Sequence, residues 1–145
     1  MKGVAPLLLV LAATACQTPQ WPVDGPIRSP YGIRSGGLVG ELHRGVDIGV
    51  PIGTPVRPML SGRVRFAGTM SGYGQVIWVD HGEDLLTVYA HLSEIAVAAG
   101  QEVSSGTVIG RTGESGNTSG PHLHLEVWRW GREVDPVRML GGPPV

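Results

Sequence analysis

The chain has 145 residues, a formal net charge of −1, and 16% charged against 41% hydrophobic residues. That length holds one domain with a sizeable core. The near-neutral balance leaves no basic stripe for a phosphate backbone, so nucleic acid is not an expected partner. With 23 glycines and 12 prolines the composition is turn-rich. Plentiful Val, Ile and Leu set it apart from disordered chains.

The chain opens "MKGVAPLLLVLAATAC", with Lys2 ahead of the apolar run Val4–Ala13. Ten residues are too few to cross a bilayer as a helix. The pattern fits a secretory signal over residues 1–15, with Ala13-Thr14-Ala15 as a small-residue cleavage site. Export to the cell envelope or periplasm follows from it. Cys16 comes next and is the only cysteine, so no intramolecular disulfide forms. Its position resembles the lipobox of bacterial lipoproteins, although Ala13 stands where leucine is usual. On that reading a lipidated Cys16 becomes the mature N-terminus and attaches the chain to a membrane. The alternative is a plain signal-peptidase site followed by an incidental thiol. Residues 16–24, polar and proline-containing, read as a linker. The body runs over residues 25–140, and "GGPPV" (141–145) reads as a tail.

Within the body, strand signals dominate. "RVRFAG" (Arg63–Gly68), "QVIWVD" (Gln75–Asp80), "LLTVYAHL" (Leu85–Leu92), "TVIGRTG" (Thr107–Gly113) and "HLHLEVWRW" (His122–Trp130) are short, apolar and bounded by glycine-containing turns. "HGED" between the second and third reads as a hairpin loop. No body segment sustains a helical period. The expected fold is all-β and mostly antiparallel, with long glycine-rich loops.

Strand periodicity puts His122, His124, Glu126, Trp128 and Trp130 on one face and Leu123, Leu125 and Val127 on the core face. A polar centre between the two imidazoles would touch both. Read alone, this HxH also fits two solvated surface histidines. In "LHRGVDIGVP", His43 and Asp47 are four apart, but the glycines and Pro51 argue against a helix. Both reach one metal only if the backbone bends between them, which Gly45 permits. In "TVYAHLS", alternation groups Thr87, Tyr89 and His91 on one face and sends Val88, Ala90 and Leu92 to the core. His81, Asp80, Glu83 and Asp84 are explained by their turn rather than by a metal.

In order and spacing, "HRGVDIGVPIGTPV", "GYGQVIWVDHG", "TVYAHLS" and "GNTSGPHLHLEV" resemble the lysostaphin-type (M23, LytM-like) zinc metallopeptidases, over roughly Ser29 to Pro136. The resemblance implies a compact two-sheet domain, a duplicated hybrid motif with a groove across one sheet. It implies one zinc ion per chain, held by His43, Asp47 and His124. It also implies that His91 and His122 handle the proton of a metal-activated water and the developing oxyanion. Two nitrogens and one oxygen suit a catalytic zinc site, which keeps one position open. Glu126 is placed to orient a ligand through its ring N–H, though an exposed glutamate reads the same way. The resemblance further implies a substrate groove walled by Tyr31 and the loop Asn117, Thr118, Ser119 and Gly120. A movable lid is a further expectation for the glycine-rich stretch Ser35–Leu42.

Three other readings compete. "VAAGQEVSSGTVIGRTG" resembles half of a biotinyl or lipoyl carrier, but the sole lysine, Lys2, lies in the signal, which excludes cofactor carriage. A structural zinc site would call for a closed, cysteine-rich shell. A non-enzymatic LytM-like protein that activates another wall hydrolase would usually lack ligands that this chain keeps. The expected protein is a monomeric, exported endopeptidase acting on the peptide of peptidoglycan.

Overall fold

A computed structural model describes residues 17–34 and 40–144. The signal, Cys16 and residues 35–39 of the expected lid lie outside the described residues. The strands are β1 (Ile27–Ser29), β2 (Gly32–Arg34), β3 (Glu41–His43), β4 (Val46–Ile48), β5 (Pro55–Val56), β6 (Gly62–Met70) and β7 (Gly74–Asp80). They continue with β8 (Leu85–Ile95), β9 (Glu102–Val103), β10 (Gly110–Thr112), β11 (Leu123–Arg129) and β12 (Arg132–Val134). One short helix, α1 (Pro136–Leu140), follows. It starts on Asp135, whose carboxylate accepts from the Val137 N–H, and stops at Gly141 in the left-handed region. Five residues are too few to show a helical period, so composition did not announce it.

The expected all-β, antiparallel architecture is what forms. The main sheet runs β1-β4-β11-β8-β7-β6-β9, with β10 paired to β5 and β8, and β12 paired to β11. β2 and β3 make a separate two-stranded ribbon. Leu123, Leu125 and Val127 of β11 are fully buried, as their alternation requires. Leu123 and Leu125 join Val46, Ile48, Ile77, Val79, Tyr89 and Leu92 in the main core. Each such side chain contributes roughly 1.5–3 kcal/mol on burial. Trp130 falls outside β11, in a turn, and is 70% exposed.

β8 departs from simple alternation. Tyr89 and Leu92, three residues apart, both enter the main core, while Val88 and Ala90 pack with Val76 on the opposite side of the sheet. The expectation that Val88 and Ala90 share the main core face with Leu92 is therefore corrected. The cause is a bulge. Gln75 pairs with Leu92 and Ile77 with Tyr89, so β8 spends one residue more than β7. His91 absorbs it with φ +59°, a left-handed backbone that costs a non-glycine residue about 1 kcal/mol. The bulge turns His91 out of the Tyr89 face.

The segment read as a linker is packed against the body. The Gln20 N–H donates to the Met59 carbonyl, the Arg57 N–H to Pro22, and the Trp21 indole N–H to Gly142. Gln17 accepts from the Ser61 N–H, and Val23 belongs to the main core. The strip leads directly into β1.

β4 approaches β11 closely because Gly45 precedes it. A Cβ at Gly45 would lie 2.2 Å from the Leu125 carbonyl oxygen. The glycine expected for a bend is needed for this contact. Gly45→Ala should lose about 3 kcal/mol and separate the β4 and β11 side chains. Chemical denaturation measures the first effect and metal uptake the second.

His81, in the loop after β7, is half-buried. Its Nδ1 lies 2.8 Å from the Ser61 carbonyl and its Nε2 2.8 Å from Thr87 Oγ1. Burial holds its pKa below the ordinary histidine value. A depressed histidine contributes stability above the unfolded pKa of about 6.5 and loses it as pH falls through the folded value. Melting temperature should therefore fall below about pH 6.5. In His81→Gln that acid-side slope should shrink, which melts from pH 5 to 8 check.

Candidate metal centre and groove

The site is assembled by pairing. β4 lies antiparallel to β11 with Asp47 opposite His124. β2 and β3 pair with Gly32 opposite His43, and the His43 ring meets Asp47 of β4. The result is a triangle of donor atoms. His124 Nδ1 lies 2.8 Å from Asp47 Oδ1, His43 Nε2 lies 3.2 Å from the same oxygen, and the two nitrogens are 3.3 Å apart. A tetrahedral zinc site with bonds of about 2.0–2.1 Å has ligand–ligand edges of about 3.3 Å. Triangle and donor chemistry therefore both fit such an ion, and among the described residues these three form the group able to hold one.

Each imidazole is tied on its far side. His43 Nδ1 lies 2.8 Å from the Pro30 carbonyl. His124 Nε2 lies 2.9 Å from Glu126 Oε1. His91 Nδ1 lies 2.7 Å from the Ser115 carbonyl, and His122 Nδ1 2.9 Å from the Gly120 carbonyl. Carbonyls only accept, so His43, His91 and His122 carry a proton on Nδ1 and leave Nε2 free to face the centre. His91 and His122 meet edge to face with ring centroids 4.9 Å apart, and His122 Nε2 is 3.5 Å from Asp47 Oδ1.

The electrostatics follow from these contacts. Burial alone would raise the Asp47 pKa, but hydrogen bonds with His124 and His43 overcome it and hold the carboxylate well below its usual range. Its second oxygen takes an ion pair from Arg34 at 2.9 Å. Burial would likewise lower the pKa of His124, yet Asp47 and Glu126 raise it to about 9. Glu126 is 2% exposed. Burial pushes its pKa up, and donors from His124, Trp128 and Tyr73 outweigh that and lower it. Burial and the Glu126 carboxylate push the Tyr73 phenol to about 12, so it stays a donor. His91 is kept below the ordinary histidine value chiefly by burial.

All five expected metal and catalytic residues face one groove, which His91, His122 and the triad line together with Tyr73, Asn117, Thr118, Ser119 and Glu126. Gly120 lines its continuation past His122. Tyr31 lies apart from it. Tyr31 packs on the main core, donates to the Glu133 carbonyl and borders a separate depression. Arg34, Tyr73 and Trp128 were not singled out as contacts of Asp47 or Glu126. Tyr73 carries a signal in the "GYGQ" turn and Trp128 in its place on the Glu126 face of β11; Arg34 carries none.

The sequence profile of Peptidase family M23 matches residues 41–136. The DD-carboxypeptidase/endopeptidase Mpg of Neisseria meningitidis serogroup B is 42% identical over 113 residues, 77% of this chain and 26% of that protein. The murein hydrolase activator EnvC of Escherichia coli is 38% identical over 122 residues, 83% of this chain and 28% of that protein. The chain thus spans between a quarter and a third of these curated relatives. Among solved structures, the catalytic domain of the antimicrobial peptidase lysostaphin from Staphylococcus simulans superposes with a TM-score of 0.71 at 33% identity. The match covers 78% of this chain and 90% of that one. Fold, donor triangle and sequence profile agree that the chain belongs to peptidase family M23.

Proposed function

We propose that the chain is an exported, zinc-dependent endopeptidase that hydrolyses peptide bonds in the stem peptides or cross-links of bacterial peptidoglycan. The observation that carries this reading is the complete set of inward-facing donors: His43 Nε2, Asp47 Oδ1 and His124 Nδ1 as ligands, with His91 and His122 alongside. A bound zinc ion supplies Lewis-acid polarisation of the scissile carbonyl and activation of water. Glu126 and the Pro30 carbonyl orient the two ligating rings from behind. His91, neutral and fixed by Ser115, offers Nε2 to accept a proton. His122, fixed by Gly120 through Nδ1, can stabilise the charge that develops on the carbonyl oxygen only once its Nε2 also carries a proton and donates it as a hydrogen bond. The apolar run Val4–Ala13 supports the envelope location, and Cys16 supports attachment to a membrane.

A second reading is an activator of another wall hydrolase. The 38% identity to the murein hydrolase activator favours it. Purified chain on intact sacculi, with soluble muropeptides followed by mass, separates the two. Peptidase action predicts zinc-dependent release of newly cut peptides, lost with a chelator and in His43→Ala. His91→Ala should retain zinc and lose about 10²- to 10⁴-fold in rate. One equivalent of zinc bound with no release from any cross-link type would favour the activator instead.

Proton bookkeeping gives a second test. With a metal-free pKa of about 9, His124 is protonated at pH 7 and must lose that proton before Nδ1 ligates. Zinc uptake at pH 7 should release close to one proton per ion, and affinity should weaken as pH falls below 9. Calorimetry in buffers of different ionisation enthalpy measures the release.

A further inference from the structure

The groove continues past the metal triad. Beyond Asp47 and His122 it opens into a second lobe walled by Arg28, Ser29 and the segments Gly49–Pro51 and Ser119–Pro121. The charges of the two lobes differ. The first carries Glu41 and Glu126 beside Arg44. The second adds Arg28 and no further acid, and Arg34 and Asp47 line both lobes. Arg34 is committed to Asp47 and Arg44 to Glu133, whereas Arg28 has no ion-pair partner among the described residues.

Two local features set the path of Arg28. In the β1–β4 ladder Ile27 pairs with Ile48 and Ser29 with Asp47, so Arg28 is the extra residue of a bulge. Bulges re-aim a side chain and are frequent beside active sites. Arg28 then crosses Gly49 at close range. A Cβ built on Gly49 would lie 2.4 Å from Arg28 Nε and 2.7 Å from its Cγ. The route therefore exists because position 49 has no side chain. Since Ser29 is the register partner of Asp47, Arg28 stands one residue from the strand position opposite a metal ligand. An extended peptide advances about 3.3 Å per residue. From there an arginine reaches substrate atoms within about two residues of the bond over the metal triad.

We propose that this lobe is a carboxylate subsite, in which Arg28, aimed by the β1 bulge across Gly49, binds a carboxylate of the substrate peptide within two residues of the scissile bond. The proposal rests on the peptidase reading of the groove. The guanidinium fork matches a carboxylate in bidentate geometry, and the lobe has no acid of its own except Asp47, which the metal triad and Arg34 occupy. A C-terminal carboxylate and an acidic side chain both supply this chemistry.

The test uses the zinc-loaded full chain and two sets of synthetic stem peptides. In one set the C-terminus is free or amidated. In the other a side-chain carboxylate next to the scissile bond is free or amidated. Binding is read by calorimetry and cleavage by mass. We expect the free acid of one set to bind about tenfold more tightly than its amide and to show the same ratio in KM; the set that responds identifies the source. In Arg28→Gln the ratio should collapse towards one, and Arg28→Lys should keep part of it. Gly49→Ala, which blocks the path and leaves Arg28 in the chain, should reproduce the collapse at an unchanged melting temperature. Equal binding of acid and amide in both sets, or a ratio that survives Arg28→Gln, overturns the subsite. A binding preference that Arg28→Gln removes, without cleavage of any peptide, upholds the subsite and overturns the peptidase reading.

Discussion

The contact between β4 and β11 is the constraint on which the site depends. It sets Asp47 opposite His124 in the ladder and brings Gly45 against the Leu125 carbonyl. Strand register is all or none: a slip of one residue would turn Leu123 and Leu125 outward and carry His124 into the core. The same hydrophobic alternation that builds the core thus fixes two donor atoms that could ligate a metal to within a hydrogen-bond length. His43 is the third donor, and it comes from the separate β2–β3 ribbon. Its position is secured by backbone pairing with Gly32 and by the Pro30 carbonyl rather than by core packing.

Around that contact the protein gathers two buried carboxylates, Asp47 and Glu126, at a cost in desolvation that only good partners offset. The compensation differs on each side. Asp47 shares one oxygen between His43 and His124 and gives the other to Arg34. Glu126 collects Tyr73, Trp128 and His124. A raised His124 pKa is the outcome of that balance in the metal-free site. A divalent cation would take over the proton's role in neutralising the same cluster.

How much of this was legible follows from where regularity holds. β11 is a regular strand, and alternation placed Leu123, Leu125, His124 and Glu126 on their proper faces. β8 is regular only as far as Ala90, because a left-handed residue at His91 shifts the period, and no residue type at that position announces it. β1, β3 and β4 have three residues each, too few for any period to show. Family likeness, not periodicity, drew His43 and Asp47 together. The acceptors that fix His43, His91 and His122 are main-chain carbonyls of Pro30, Ser115 and Gly120, which side-chain chemistry does not reveal. The aim of Arg28 is not legible in the sequence for a related reason: it depends on a skipped ladder position and on an absent Cβ two residues past Asp47.

The docked segment from Gln17 to Val23 bears on how the domain is carried. A flexible leash of seven residues would let its cargo roam about 15 Å. Here that stretch is stitched to Met59, Ser61, Arg57 and Gly142, so it gives no slack. A pull arriving at Gln17 acts on the whole sheet as a rigid handle. Any tether attached ahead of Gln17 would therefore set the direction in which the groove points.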